Sequence, residues 1–600
     1  MLEHVVGYRD IAALPGFEHA DMESVVDLLE QCGDFMARVV APTNRIGDVE
    51  GAHRDPDGTV VVPAAFKAAY AKYVDAGWGS IPFPEEFGGG GFPWSVGLAI
   101  QEMLQSSNMA FALCALLTQG AIDALLHYGS DEQKQRYLPR MVSGEWTGTM
   151  NLTEPQAGSD VGALISRAVP REDGSYAISG QKIFITYGDH DMAEQIVHLV
   201  LARTPGAPAG TRGISCFIVP KFLVNEDGSL GARNAVECLS IESKLGIHGS
   251  PTCVLSYENA TGFLIGEENL GMRIMFVMMN SARLAVGMQG VAVSERAYQQ
   301  SLDYARQRRQ GRAIGASGPD SAIVDFPDVR RMLMTQKAYI AALRRLMLFN
   351  AVQMDRSSHG ADEESRTRAT ELVGLLTPIC KAFGTDLANE LTSLALQVHG
   401  GAGFIEETGA AQHVRDVRIT AIYEGTNGIQ AADLVGRKIG VRGGAAVTEF
   451  LATMREILPE LEVAGEEFAS IRTQLARQFD GLEEATAWML RAGATDPNAA
   501  LSGSSPYLRM WGLCVGGWLL ARSALAGPAT GDAALAEDQL VVARFYAEQL
   551  LPQSAALLGA ATAGTRDLFA LAADDLAGAR RQPRDHATML GLPAPLSSDG

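Results

Sequence analysis

The sequence predicts an α+β protein of four successive units: a helical domain over residues 1–149, a β domain over 150–262, a helical bundle over 263–440 and a further helical extension over 441–600. Three observations lead there. Apolar residues recur at three- and four-residue steps in the first and third stretches, the mark of helices with one buried stripe. Between them lie short apolar or alternating runs bounded by turn residues, as strands require. Finally, the glycine cluster Gly440, Gly443 and Gly444 interrupts the pattern before helical spacing resumes.

In the first unit, Val25, Leu28, Cys32, Phe35 and Val39 space out one amphipathic helix, residues 63–74 a second and 95–104 a third. Residues 82–91, rich in proline and glycine, read as a loop. In the second unit Ile183 and Ile185 alternate with their neighbours, 196–201 is nearly all apolar, and 213–220 is a strand closed by Pro220. Glu172-Asp173-Gly174-Ser175 and Asn225-Glu226-Asp227-Gly228 are the turns between them. In the third, residues 284–302 are apolar on most sides, 306–318 form a basic loop, and Leu387, Leu391, Leu394 and Val398 line one buried face. The extension opens on Phe450, Met454, Ile457, Leu458 and Leu461. Further helical stretches follow at 485–489, 510–520, 534–551 and 567–576, and the tail from 582 reads as irregular.

Six hundred residues exceed a single core. With 47% apolar and 20% charged residues, the composition is that of a well-packed globular protein. A net charge of −21 argues against general nucleic-acid binding. The seven cysteines are scattered, without a C-x-x-C pair, and read as buried thiols of a reducing compartment. No signal-peptide pattern opens the chain, and charges or glycines interrupt the long apolar stretches, so the expectation is a cytoplasmic protein without a membrane span. Histidines do not cluster at metal spacing, and no metal site is expected.

The chain lacks G-x-G-x-x-G after a strand, G-x-x-x-x-G-K-[ST], G-x-S-x-G and H-E-x-x-H, which removes the main nucleotide-fold, P-loop, serine-hydrolase and zincin readings. What stands out is Ile422-Tyr423-Glu424-Gly425-Thr426-Asn427-Gly428. A carboxylate among apolar and aromatic side chains has a raised pKa and suits a general base near neutral pH, while neighbouring glycines let backbone approach a ligand. Glu424 is therefore the candidate base for a carbon-bound proton; read alone, the stretch could also be a surface turn. A second stretch, residues 150–162 with Thr153-Glu154-Pro155-Gln156-Ala157-Gly158-Ser159-Asp160, offers free backbone donors, hydroxyls and glycine for a heterocycle or pyrophosphate. Alone, it is equally a tight turn capped by Ser159 or Asp160.

Together with Gln397-Val398-His399-Gly400-Gly401-Ala402-Gly403-Phe404 and residues 180–186, these runs stand in the order and at the separations of the flavin-dependent acyl-CoA dehydrogenases, which the chain resembles over about residues 35–438. Residues 246–253, 426–430 and the extension resemble the long subgroup that includes 3-(methylthio)propanoyl-CoA dehydrogenases. The resemblance implies an acyl-CoA dehydrogenase-like fold with a four-helix-bundle third domain and FAD as cofactor. It places Leu152, Thr153, Gly158, Ser159, Phe184, Thr186, Thr426 and Gly428 at the flavin, and makes Arg308, Gln397, Gly400 and Gly401 reach the FAD of a neighbouring subunit. Ser159, Asn280, Arg283, Tyr423 and Gly425 fall on the substrate side. At position 184 the family usually has an indole; phenylalanine keeps the flat apolar wall without the donor. Asn280 replaces a common aspartate, and Gln310-Gly311-Arg312 stands where short members place an aromatic.

The implied reaction is α,β-dehydrogenation of an acyl-CoA to the trans-2-enoyl-CoA. Glu424 takes the α-proton and hydride passes to flavin N5, while the Glu424 N–H and a ribityl hydroxyl polarise the thioester carbonyl. Expected partners are the acyl-CoA, either 3-(methylthio)propanoyl-CoA or a medium- to long-chain substrate, an electron-transfer flavoprotein, and a second copy in a homodimer or dimer of dimers. An acyl-CoA oxidase is one alternative. A low-turnover flavin-binding scaffold or nucleic-acid-associated relative is the other.

Overall fold

The first buried residues come before the periodic stretch: the turns Leu2–Val6 and Tyr8–Ala12 sink Val5, Val6, Tyr8 and Ile11 into the core. The computed structural model describes residues 1–576. Helix α1 (Met22–Phe35) starts where the Asp21 side chain accepts the Ser24 N–H at 2.8 Å. Its buried line runs through Val25 and Cys32 to Met36 and Val40, leaving Leu28, Phe35 and Val39 half-buried. Helices α2 (Trp94–Ser107) and α3 (Met109–Tyr128) stack behind it, with the expected loop before them closed by a turn at Glu85–Phe87. A period search misses α3 because it is apolar on every side and buried on nearly every side.

A seven-stranded sheet follows, with strands β1 (Trp146–Asn151), β2 (Arg167–Pro170), β3 (Tyr176–Thr186), β4 (Gln195–Ala202), β5 (Ser215–Pro220), β6 (Val236–Ile241) and β7 (Thr252–Leu264). Their order is β1-β4-β5-β7-β3-β2, and β6 also pairs with β7. All neighbours are antiparallel except β1 and β4, where Trp146 lies opposite Gln195 and Asn151 opposite Val200. β4 and β5 are buried along their whole length, which explains their largely apolar character despite Gln195, His198 and Ser215. The expected boundaries at 149/150 and 262/263 each fall inside a strand of this sheet.

The third unit is built on α4 (Gly271–Gln307), α5 (Pro327–His359) and α6 (Glu363–Val398), with the fourth side of the bundle supplied by shorter pieces, α7 (Ala410–Val417) and α8 (Asn427–Asp433). α3 and α4 are long and apolar enough to cross a membrane, yet 89% and 78% of their most apolar windows are buried against protein. In the extension, α9 (Ala445–Arg455) and α12 (Ser504–Ala526) pack on the bundle, and α10 (Ile457–Ala464) and α11 (Ala469–Thr495) pack against α12. Gly512 of α12 lies so close to α6 that a Cβ there would stand 2.2 Å from the Phe383 ring. Trp518 meets Phe349 edge-on at 5.3 Å and Arg509 clasps Glu390 at 2.6 and 3.0 Å. Helical spacing at 567–576 overreaches: only Ala573–Leu576 is helical, and the tail from 582 lies outside the described residues.

Candidate active site

The loop carrying Glu424 is anchored before it begins. On α7, Arg415 donates to both Asp48 carboxylate oxygens at 2.6 Å and to Glu406 at 2.9 and 3.2 Å, tying the bundle to the first domain. Next to it, buried Asp416 accepts the Ile247 N–H at 2.5 Å from the turn before β7. Burial pushes the Asp416 carboxyl up to about 6, against the pull of that N–H and Gln412. Three domains thus meet one turn ahead of the candidate base.

Glu424 adopts φ 56°, in the left-handed region, and Gly425 follows at φ 84°. The pair turns the chain sharply before Thr426 caps α8 by accepting the Ile429 N–H at 3.3 Å. Arg283 Nε donates to the Glu424 carbonyl at 3.4 Å, and Gln430 Nε2 to the Glu424 and Gly425 carbonyls at 3.3 and 3.4 Å. A Cβ on Gly425 would stand 2.8 Å from Gln430 Nε2, so only glycine fits. Arg283 is buried against Asp433 at 3.8 Å, and Arg437 completes the cluster at 2.5 Å from Asp433. Tyr423 donates its hydroxyl to Gln289 in the core.

Glu424 is half-buried. Desolvation raises its pKa from 4.5 to about 7, with Arg283 and Lys381 pulling the other way. A carboxylate so poised is half ionised at neutral pH, as a general base should be.

On the flavin side, Leu152 is buried and Thr153 half-buried at the end of β1. The Thr153 carbonyl accepts the Ile183 N–H at 2.9 Å, and buried Lys182 donates to the Leu152 carbonyl at 3.0 Å and to Glu154 at 2.8 Å. Glu154 also accepts the Ile165 N–H at 2.7 Å and Ser166 Oγ at 2.6 Å. Gly158 and Ser159 sit exposed on this clamped loop. Thr186 is half-buried at the end of β3, and Phe184, at φ 60°, presents a ring that is 59% exposed.

The structure therefore brings together Glu424, Tyr423, Gly425, Thr426 and Arg283, with Gly428 on the first turn of α8, and, on the sheet, Leu152, Thr153, Gly158, Ser159, Phe184 and Thr186. Asn280 occupies the exposed side of α4 within a turn of Arg283. Arg308, Gln397, Gly400 and Gly401 form another, exposed group at the ends of α4 and α6, where Tyr304 and His399 stack at 4.7 Å between ring centres. Among the described residues the Arg308 guanidinium hydrogen-bonds only Gln310, at 3.1 Å.

These surfaces suit FAD. The N–H groups of Glu424, Gly425, Gly158 and Ser159 have no acceptor in the chain among the described residues, and β3 carries a flat exposed aromatic, Phe184. Free donors on a glycine-bearing loop fit a pyrophosphate, and the open Phe184 ring fits an isoalloxazine face.

Sequence reasoning assigned no role to Lys182, Glu154, Lys381, Gln430 or Asp433. The signal for the two lysines was each one's isolation in an apolar stretch; their partners lie in other elements.

Comparison with known proteins agrees with this layout. Family models match in chain order: Acyl-CoA dehydrogenase, N-terminal domain over residues 23–145, middle domain over 149–260, C-terminal domain over 269–439, and Acetyl-CoA dehydrogenase C-terminal like over 445–572. The chain is 46% identical over 560 residues to a 3-methylmercaptopropionyl-CoA dehydrogenase of Ruegeria pomeroyi, covering 92% of this chain and 95% of that one. Its fold matches an acyl-CoA dehydrogenase from Bacillus anthracis solved with FAD, at TM-score 0.75 and 21% identity over 93% and 89% of the two chains. A chain from a structural study of the electron transferring flavoprotein of Acidaminococcus fermentans matches at TM-score 0.57 and 26% identity, over 69% of this chain and 97% of the other.

Proposed function

The chain belongs to the acyl-CoA dehydrogenase family and is an FAD-dependent acyl-CoA dehydrogenase, and we propose that Glu424 is its base and a short thioether acyl-CoA such as 3-(methylthio)propanoyl-CoA its substrate. The observation that carries the proposal is Glu424 itself: a carboxylate desolvated to about pKa 7, in a left-handed turn whose carbonyl is tied down by Arg283 and Gln430. The thioether substrate is supported by the 46%-identical relative.

The α-hydrogen leaves as a proton to a Glu424 carboxylate oxygen. The free Glu424 N–H would donate to the thioester carbonyl oxygen as negative charge develops on it. Gly425 leaves room for the thioester against α8, while Arg283 keeps the base from swinging by holding its own backbone carbonyl. Leu152, Thr153, Gly158, Ser159, Phe184, Thr186, Thr426 and Gly428 would hold the cofactor. FAD, when bound, supplies the acceptor for the β-hydrogen and its electron pair, which leaves a trans-2-enoyl-CoA.

An electron-transfer flavoprotein as the reoxidant is supported by the relatives' chemistry and by the structural match from Acidaminococcus fermentans. A second copy covering Arg308, Gln397, Gly400 and Gly401 is supported by their exposure and by Phe404 and Ile405 beside them, 83% and 52% exposed. Seven unpaired buried thiols favour a reducing compartment such as the cytoplasm.

The test is a panel of acyl-CoA thioesters, straight-chain and methylthio-substituted, scored by flavin bleaching and enoyl product. The methylthio substrate is expected to bleach fastest. Faster bleaching by straight-chain thioesters overturns the substrate assignment, and peroxide formed in step with product would indicate an oxidase.

A further inference from the structure

Lys381 is a fully buried cation that the reaction as derived leaves unused. It lies on α6 in an otherwise apolar stretch, with 0% exposure. Its ammonium donates to Asn427 Oδ1 at 2.8 Å, which also accepts from Thr385 Oγ1 at 3.2 Å. The Asn427 amide in turn reaches Thr385 Oγ1 at 2.9 Å, the Ala382 carbonyl at 3.2 Å and Asp386 at 2.6 Å. Asn427 is the first residue of α8 and stands directly after the Glu424-Gly425-Thr426 turn. Lysine is not needed for packing here, since burying an ammonium without a carboxylate partner in contact costs free energy that an apolar side chain would avoid.

We propose that Lys381 is a positioning residue for the base: through Asn427 it fixes the turn that carries Glu424, and its positive charge keeps that carboxylate ionisable inside a desolvated site. The proposal rests on Glu424 being the base. The charged groups around the pair are few and identifiable. Arg283 faces Glu424 from α4; Asp433 and Arg437 face Arg283 from the segment after Asn427; Asp386 faces Lys381 from α6; and Arg509 and Glu390 reach Asp386 from α12 and α6. Burial lowers the Lys381 pKa to about 7, with Glu424 and Asp386 opposing the fall and Arg283 adding to it. Arg283 is already engaged with Asp433 and the Glu424 carbonyl. Both cations pull the Glu424 carboxyl down, Arg283 more strongly, and Lys381 does so without touching it.

The experiment uses the FAD-loaded protein and reads two quantities. One is the acid limb of the pH profile for substrate-dependent flavin bleaching. The other is the titration midpoint, without substrate, of the infrared carboxyl band that disappears in Glu424→Gln. Lys381→Met is expected to move both midpoints upward by at least about half a pH unit, since a cation that favoured the carboxylate is gone. Lys381→Arg, which keeps the charge, should return them toward the original value. Asn427→Ala should move them in the same upward direction by less, and it serves if Lys381→Met does not fold. Midpoints that stay put in Lys381→Met and Asn427→Ala overturn the proposal, as does a shift that arginine does not reverse, which would be a packing effect. If Glu424→Gln still bleaches normally, it is the base assignment that fails, whatever the lysine variants do.

Discussion

Two glutamates near fully buried lysines behave in opposite ways in this molecule. Glu154 and Lys182 touch at 2.8 Å beneath the flavin-side loop, at 2% and 0% exposure. Burial alone would push the Glu154 carboxyl up. The Lys182 charge and the donors Ile165 N–H, Lys182 Nζ and Ser166 Oγ outweigh it and bring the pKa from 4.5 down to about 2. Glu424 also sits near a fully buried lysine, but the Lys381 ammonium is bonded to Asn427 and acts on the carboxylate only at a distance, no donor among the described residues is bonded to it, and the pKa rises to about 7. Depth of burial therefore does not separate a structural clamp from a reactive base. The number of donors on the carboxylate does. A saturated carboxylate has no capacity left to take a proton from carbon, whereas an undersaturated one is held ready to do so.

The contrast can be broken most sharply at the base. Glu424→Gln should cut substrate-dependent flavin bleaching roughly 10²–10⁴-fold, the usual share of a positioned general base, while the protein still carries FAD; stopped-flow absorbance decides it, and near-normal bleaching would end the assignment. Next in size, Lys182→Met leaves Glu154 buried without its cation. It should cost about 3–5 kcal/mol by denaturant unfolding and loosen FAD retention, with little effect expected on the titration of Glu424. A loss confined to activity would make the two pairs equivalent.

Stability against pH sharpens the comparison further. Glu154 has a folded pKa of about 2, below its ordinary 4.5, so its contribution is present above pH 4.5 and disappears as pH falls through 2. Glu424 has a folded pKa of about 7, above 4.5, so folding is favoured below pH 4.5 and loses stability as pH rises through 7. Glu424→Gln should accordingly match the parent near pH 4 and exceed it at pH 8 by about 1–2 kcal/mol, a figure reduced because Glu424 is only half-buried. Unfolding midpoints across that range check it, and a destabilised Gln variant at pH 8 would contradict it. Gly425→Ala should be similar or smaller in stability, about 1–2 kcal/mol lost to the left-handed backbone, with bleaching slowed by the clash with Gln430.

Much of the fold was legible because its signals are local. The apolar run inside β4 and the buried line of Leu387, Leu391 and Val398 each follow from the period of the element that carries them, whereas at Ile183 and Ile185 the strand is present but burial does not alternate, Lys182 and Ile185 being buried and Ile183 only half-buried. Where period was absent or misleading, reading failed. α3 has no polar face to define one, the turns at Leu2–Val6 and Tyr8–Ala12 are too short to show one, and spacing at 567–576 overstated the helix. The candidate site divides the same way. The unusual company of Glu424 marked it in the chain, whereas the Arg415–Asp48 tie and the Lys381–Asn427 contact join residues far apart in sequence.

The order of residues by itself determined which segments became helix or strand, which carboxylate stood among apolar and glycine neighbours, and which loops kept free backbone donors. These depend on side-chain period, backbone freedom and turn chemistry within about ten residues. Only the tertiary structure decided that one buried glutamate would be saturated with donors and the other left wanting. A pKa is set by burial and by charges within a few ångströms, and chain folding, not chain position, chooses those neighbours.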